Sequence, residues 1–224
     1  MTRQECIDLY GDDMEIALHA RTHPFLERLP APNAMQEVLS DRAEIERMTD
    51  RPARGMAYPF GTYSDDVVEI LRMAGIAYAR TTVSTERFAI PTDWLRMPAT
   101  CHHANPKLMA LAAQFLEPVD RYGAPKLFYL WGHSYEFERD GNWSIIERFL
   151  EFIGGRDDIW YATNIEIYDY VTAFRALQWT LDFRIVHNPT ALDVWVSAFS
   201  AGNPPRERIM CIPAGQTVAV EQLG

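Results

Sequence analysis

The feature that most restricts this chain is a repeated alternation of strand-like and helix-like segments between Met14 and Leu177. Strand-like "MEIAL" (14–18) precedes "NAMQEVLSDRAEIERM" (33–48), in which Met35, Val38, Leu39, Ile45 and Met48 recur at helical spacing behind Asn33 as N-cap. "RGMAYPFG" (54–61) reads as a strand ending in a turn, and "SDDVVEILRMAG" (64–75) as a short helix capped by Ser64 and stopped at Gly75. The series continues with strand "IAYART", strand-like "WLRMPATC", helix "PKLMALAAQFLE", strand "KLFYLWGH", helix "WSIIERFLEFIGG", strand "IWYATN" and helix "IYDYVTAFRAL". Strand and helix in this order require parallel strands with helical crossovers, hence an α/β sheet or barrel. About six such units are present, fewer than the eight of a complete barrel, which typically takes about 250 residues. The expected fold is therefore α/β, an incomplete (β/α) barrel with its first strand missing.

From Gln178 the pattern changes to alternating strands, "WTLDFRIV", "ALDVWVSAF" and "TVAVEQL", separated by Asn-Pro, Gly-Asn-Pro-Pro and Pro-Ala-Gly turns. Residues 1–177 are thus expected to form the α/β barrel, and 178–224 a small C-terminal β appendage.

Composition excludes several classes of function. A net charge of -10 without any Lys/Arg cluster argues against a nucleic-acid partner. The longest apolar runs are too short for a membrane span. Cys6, Cys101 and Cys211 are odd in number and lack paired short spacings, so they read as reduced thiols. The first residues show no basic segment followed by an apolar one, and a cytoplasmic location is the expectation.

Chemistry in parallel α/β folds collects at the carboxyl ends of the strands. His19 follows the first visible strand, Pro59, Phe60 and Gly61 the second, and Arg80, Thr81 and Thr82 the third. Cys101, His102 and His103 follow the fourth, His133 the fifth and Asn164 the sixth. Five of the six histidines fall on this one rim, His187 being the exception. His19 and His23, four positions apart before Pro24, can ligate one divalent ion. A structural role in capping or packing is the alternative. His133 suits a general acid or base by its titration range, or a core position. Cys101 lacks a separate base and orienting group, so a thiol nucleophile is not expected.

Taken together these residues resemble the polysaccharide deacetylase family, metal-dependent carbohydrate esterases of NodB-homology type. "HARTHP" is similar to that family's His-(Ser/Thr)-x-x-His-Pro motif, with Ala20 in place of the hydroxyl residue. "AYPFG" is similar to its Pro-Tyr-Gly-type motif, with Ala57 where many members have arginine. "WGHSYEF" and "RDDIWYATNIEIYDYV" resemble the late histidine motif and the last strand and helix of a bacterial branch. The resemblance covers residues 8–178 and the segment "VHNPTALDVWV".

The resemblance implies His19 and His23 as ligands of a zinc-like ion and His133 as the acid that protonates the departing amine or alcohol. It implies a groove lined by Tyr58, Pro59, Phe60 and Gly61. Arg80, Trp94, His102, His103, Trp131, Tyr135 and Asn164 are the further candidate contacts to substrate. The family's first strand ends in an Asp-Asp motif that supplies the general base and the third metal ligand, and that motif would precede residue 1 here. Asp12 and Asp13 start the strand that ends near His19, roughly 20 Å from the metal position. Asp157 and Asp158 start a strand at the other face, and Asp65 and Asp66 a helix. Glu136 and Asp93, on the same rim as the histidines, are the candidate substitute ligands.

The expected activity is removal of acetyl groups from N- or O-acetylated carbohydrate, a hydrolysis of carbon–nitrogen bonds other than peptide bonds, with weak or no turnover for want of the Asp-Asp pair. Either the chain is a truncated form of a longer enzyme, or it is a natural remnant that retains a groove. A non-catalytic carbohydrate-binding protein, with Tyr58, Phe60, Trp94, Trp131 and Tyr135 stacking on sugar faces, is the competing expectation.

Overall fold

The computed structural model describes residues 2–11, 14–119, 124–199 and 207–220. Its parallel pairing begins with one bridge, Leu18 to Met56, closed by Leu18 N–H to the Gly55 carbonyl at 2.8 Å and Ala57 N–H to the Leu18 carbonyl at 2.9 Å. Strand β1 (Gly55–Ala57) pairs in parallel with β2 (Tyr78–Ser84), and β2 with β3 (Met97–Ala99). A second parallel pair, β4 (Cys101–His102) with β5 (Leu130–Trp131), lies on the same stretch of chain. The fold is mixed α/β, and no sheet closes on itself among the described residues.

Helices supply the crossovers. Helix α2 (Ala31–Thr49) buries Ala34, Val38 and Ile45, and α3 (Asp65–Met73) buries Val67, Val68, Ile70 and Leu71. These side chains share one core with Leu18, Met56, Tyr58 and Ala79. A second core joins Cys101, Leu108 and Leu111 to Phe149 and Ile153, bringing α4 (Leu108–Leu116) against α6 (Ser144–Ile153). Both cores follow the helical spacing read from the sequence.

Three local expectations are corrected. Helix α2 starts at Ala31 with Pro30 as cap, not at Asn33, because Pro32 in the first turn has its φ already set and lacks an N–H to satisfy. "IWYATN" forms no strand: Trp160 and Tyr161 face solvent, and the Tyr161 hydroxyl donates to the Ile153 carbonyl at 2.5 Å. "MEIAL" contributes only the bridge at Leu18. Three elements escaped the sequence reading: α1 (Arg3–Gly11), α5 (Ser134–Asp140) and β9 (Glu207–Ile212). Asp12 and Asp13 lie outside the described residues.

The chain divides into two compact units, Met1–Tyr161 and Ala162–Gly224. Helix α7 (Asn164–Arg175) therefore falls within the second unit, ahead of the boundary read from the sequence at residue 178. The second unit contains the antiparallel sheet of β6 (Gln178–Trp179), β7 (Ile185–His187) and β10 (Thr217–Ala219), and the hairpin of β8 (Val194–Phe199) with β9. Ala173, Leu177, Val186, Val194 and Ile212 form its core.

Asn188 holds this unit's loops together. Fully buried, it donates from Nδ2 to the carbonyls of Leu192 at 2.8 Å and Ile212 at 2.9 Å, and its Oδ1 accepts from Thr190 N–H and Oγ1. All its bonding capacity is used, and truncation takes a donor from the buried Ile212 carbonyl. Asn188→Ala is expected to destabilise the second unit by about 2–4 kcal/mol, read as a lower urea midpoint.

Candidate functional site

Two clusters of histidine occupy strand ends in the first unit. At the first, the turn carrying His19 and His23 is tied to α2 by two carboxylates one helical turn apart. Asp41 accepts the His19 backbone N–H at 2.7 Å. Glu37 accepts Thr22 N–H at 2.8 Å and Thr22 Oγ1 at 2.9 Å. Neither residue was singled out from sequence; acidic residues four apart on one helix face are ordinarily solvated, and only the half-buried state of Asp41 marks it.

Burial raises the Asp41 carboxyl above its ordinary range, partly offset by the bond from His19. The backbone at this turn is strained: Ala20, His23 and Phe60 all adopt left-handed φ, at 59°, 55° and 58°. Such a conformation costs a non-glycine residue about 1 kcal/mol or more and concentrates at functional sites.

The imidazoles of His19 and His23 lie with centroids 4.6 Å apart, and His23 packs edge-on against Phe60 at 4.4 Å. Phe60 in turn stacks on Phe25 at 3.9 Å. His19 Nδ1 is 2.8 Å from the Ala57 carbonyl. A carbonyl only accepts, so Nδ1 carries the proton and Nε2 presents its lone pair. Burial holds His19 below its ordinary value, favouring the neutral ring that a metal requires.

The second cluster converges on Glu136, in α5. Its Oε2 lies 3.1 Å from His102 Nε2, 3.4 Å from His133 Nδ1, 3.6 Å from His103 Nε2 and 3.3 Å from His133 N. Burial pushes the Glu136 carboxyl up, but the bonds from His133 and the neighbouring imidazoles outweigh it, and the net direction is downward. His102, His133 and Glu136 each offer a ligand atom within 4.8 Å of the others, a donor set able to hold a metal. At His102, however, Ala104 N–H donates to Nδ1 at 3.1 Å, which leaves the proton of the neutral ring on Nε2, facing the carboxylate. This arrangement suits a hydrogen bond better than ligation.

The remaining candidates divide by exposure. Phe60 and Tyr135 face solvent; Arg80, Trp131 and Gly61 are half-buried, and His103 and Pro59 are buried. Tyr58 and Trp94 are a correction: at 1% and 9% exposure they pack in the interior, and the Tyr58 hydroxyl donates to the Leu95 carbonyl at 2.8 Å. Neither ring can stack on a sugar. Asp93 caps a short 3-10 turn by accepting from Leu95 N–H and pairs with Arg96 at 2.5 Å. Asn164 is the first residue of α7, in the second unit. All three cysteines are free, and burial pushes the Cys101 thiol up to about 11, which removes it as a nucleophile. Gly132 permits the tight packing of His103, since a Cβ there would sit 1.8 Å from His103 Nδ1.

The α/β topology with histidines at the ends of parallel strands defines a class, and the comparisons narrow it. Residues 2–79 match the family described as polysaccharide deacetylase. Among solved structures, a Mycobacterium smegmatis protein assigned to the polysaccharide deacetylases is 16% identical, covering 80% of this chain and 70% of that one at TM-score 0.54. The Streptococcus pyogenes deacetylase PplD, solved in complex with acetate, is 18% identical over 44% of this chain, at TM-score 0.42. BA3943 of Bacillus anthracis, described as a CE4 family pseudoenzyme, is 15% identical over 74% of this chain, at TM-score 0.47. This chain spans 43% of the PplD chain and 50% of BA3943. No curated protein sequence matches. The likeness to the polysaccharide deacetylase family thus rests on residues 2–79. The Mycobacterium smegmatis structure adds similarity of fold.

Two predictions follow from these geometries. Asp41→Ala removes the acceptor for the His19 N–H and is expected to cost about 1–3 kcal/mol, measured by urea denaturation. His19 and His103 are both held below their ordinary 6.5, chiefly by burial. Between the folded and unfolded values the unfolded chain takes up more protons, so their contribution is complete above about pH 6.5 and is lost as pH falls through that window. Asp41, shifted upward, acts in the opposite sense nearer 3.8. The melting temperature of the first unit is therefore expected to fall between about pH 7 and pH 5.5, with a shallower fall in His103→Asn.

Proposed function

We propose that this chain is a deacetylase-derived protein, its first unit an incomplete (β/α) barrel directed at the acetyl groups of N- or O-acetylated carbohydrate. The observation that carries this reading is the His19–His23 pair, with His19 Nδ1 bonded to the Ala57 carbonyl and Nε2 left to ligate. In this reading His19 and His23 are ligands of a divalent ion, zinc by preference of two imidazoles, which when bound would polarise an acetyl carbonyl. His133, solvent-facing on one side and beside Glu136 on the other, is the proton donor to the leaving group.

Catalytic zinc takes three protein ligands, and the described residues supply two at this turn. Asp41 is engaged by backbone N–H groups, Asp93 by Leu95 and Arg96, and Glu136 by the second histidine cluster. The group of three converging ligand atoms among the described residues includes neither His19 nor His23. Weak or absent turnover belongs to this proposal. The same shortage favours a second reading, a non-catalytic carbohydrate-binding protein that uses exposed Phe60 and Tyr135 as stacking surfaces.

Zinc titration of the purified chain by calorimetry, with His19→Ala and His23→Ala, tests the reading. One-to-one binding weakened more than about tenfold in both variants is expected. Absent binding, or binding unchanged in the variants, refutes the metal assignment. Acetate release from acetylated chito-oligosaccharide, set beside binding of the same oligosaccharide, then separates a slow enzyme from a binding protein.

A further inference from the structure

A cavity of 370 Å³ lies beside the second histidine cluster, lined by Arg80, His103, Tyr129, Trp131, Ser134 and Phe137 among others. Its volume is within the range of small-molecule sites. Two of its lining groups lack the partners that buried polar groups ordinarily have. The half-buried Arg80 guanidinium lies over the Trp131 ring, 4.8 Å from its centroid, and pairs with no carboxylate among the described residues. Its hydrogen bond to the Thr81 carbonyl is a long one, 3.5 Å from Nη1. The Trp131 indole N–H is buried with no hydrogen-bond acceptor among the described residues.

This chain has 31 acidic residues to 21 basic ones, so carboxylates to neutralise an arginine are not scarce. The other arginines show the usual outcome: Arg42, Arg72, Arg96, Arg139 and Arg156 each pair with a carboxylate. Burial alone pulls Arg80 below its ordinary value, and the groups that oppose it are the tyrosines Tyr129 and Tyr78, with no carboxylate contributing. A charge held out of water without a counter-ion is unfavourable to the folded chain, and so is a buried N–H without an acceptor. Both deficits are relieved by one anion at the same wall of the cavity.

We propose that this cavity binds a carboxylate group, received by the planar guanidinium of Arg80 and the indole N–H of Trp131. Guanidinium geometry matches a planar carboxylate through parallel N–H bonds. Two sources share this chemistry: an acidic sugar residue of a glycan, and free acetate. The volume and the aromatic wall favour the acidic sugar. That source rests on the carbohydrate reading above, whereas the carboxylate pocket stands without it.

The test is calorimetric titration of the whole chain with sodium glucuronate, sodium acetate and glucose, for the parent chain, Arg80→Gln and Trp131→Phe. Glucuronate is expected to bind at least about tenfold more tightly than glucose, the discrimination expected of one charge-assisted contact. Arg80→Gln should abolish that preference, and Trp131→Phe, which retains the ring and loses the N–H, should weaken glucuronate about three- to tenfold.

Melting temperature without ligand supplies the readout that separates binding from structure. An arginine held for a ligand leaves stability unchanged or raised when replaced, and a structural arginine lowers it. A lowered melting temperature in Arg80→Gln, or equal binding of glucose and glucuronate, overturns the proposal. Acetate binding as tightly as glucuronate overturns the acidic sugar and retains the carboxylate. Zinc binding that persists while glucuronate fails removes this pocket alone and leaves the deacetylase reading in place.

Discussion

Parallel pairing is the constraint on which the first unit depends. Parallel strands cannot be joined by tight turns, so each must be followed by a crossover that returns the chain to the same end of the sheet. The bridge from Leu18 to Met56 and the ladders β1–β2–β3 and β4–β5 therefore send every departing loop toward the same side of the strands. His19 follows Leu18, Tyr58–Gly61 follow β1, His103 follows β4, and His133 follows β5 by two residues. The collection of histidines results from this topology, without any local sequence signal requiring it. Short ladders suffice because in both cores the helices contribute more buried side chains than the strands do.

Much of this was legible in the sequence because it depends on periodicity. The buried face of α3, the cap at Ser64 and the turn at Gly75, with φ of 72°, all follow from residue spacing and local conformational preference. The histidine rim was legible for the same reason, since a strand end is a place in the chain. What escaped was decided by tertiary burial. Tyr58, just after β1, and Trp94, just before β3, look like sugar platforms in the sequence, yet their rings turn inward, and the hydroxyl of Tyr58 finds the Leu95 carbonyl. "IWYATN" has strand composition without a neighbouring strand to satisfy it, and its aromatic side chains remain in water. Sequence pattern specifies which residues could pair, and only the assembled neighbours specify which do.

The anchoring of the His19 turn shows why a site is harder to read than a fold. Asp41 and Glu37 contribute no ligand atom and no apolar surface, and on a helical wheel they are two more acidic positions. Their effect is on the backbone: they accept the N–H groups of His19 and Thr22 and hold a turn whose Ala20 and His23 are in left-handed conformations. Energy stored in such a turn must be offset by bonds elsewhere. Here those bonds come from a helix about twenty residues further along the chain, beyond the reach of any local pattern.

The two histidine clusters differ in a property invisible to residue counting, namely which ring nitrogen carries the proton. At His19 a carbonyl faces Nδ1, which fixes the proton there and turns a lone pair outward. At His102 a backbone N–H faces Nδ1, which fixes the lone pair there and turns the proton of the neutral ring toward Glu136. The first arrangement is prepared for a cation and the second for a hydrogen bond. By donor type alone the second cluster is the better metal site, with two imidazoles and a carboxylate within 4.8 Å. Ligation there would require His102 to move its proton to Nδ1, against the N–H of Ala104, and to surrender both bonds that orient the ring. The backbone partner of each ring thus separates the clusters chemically: at His19 a lone pair is left free, and at His102 the proton of the neutral ring faces a carboxylate.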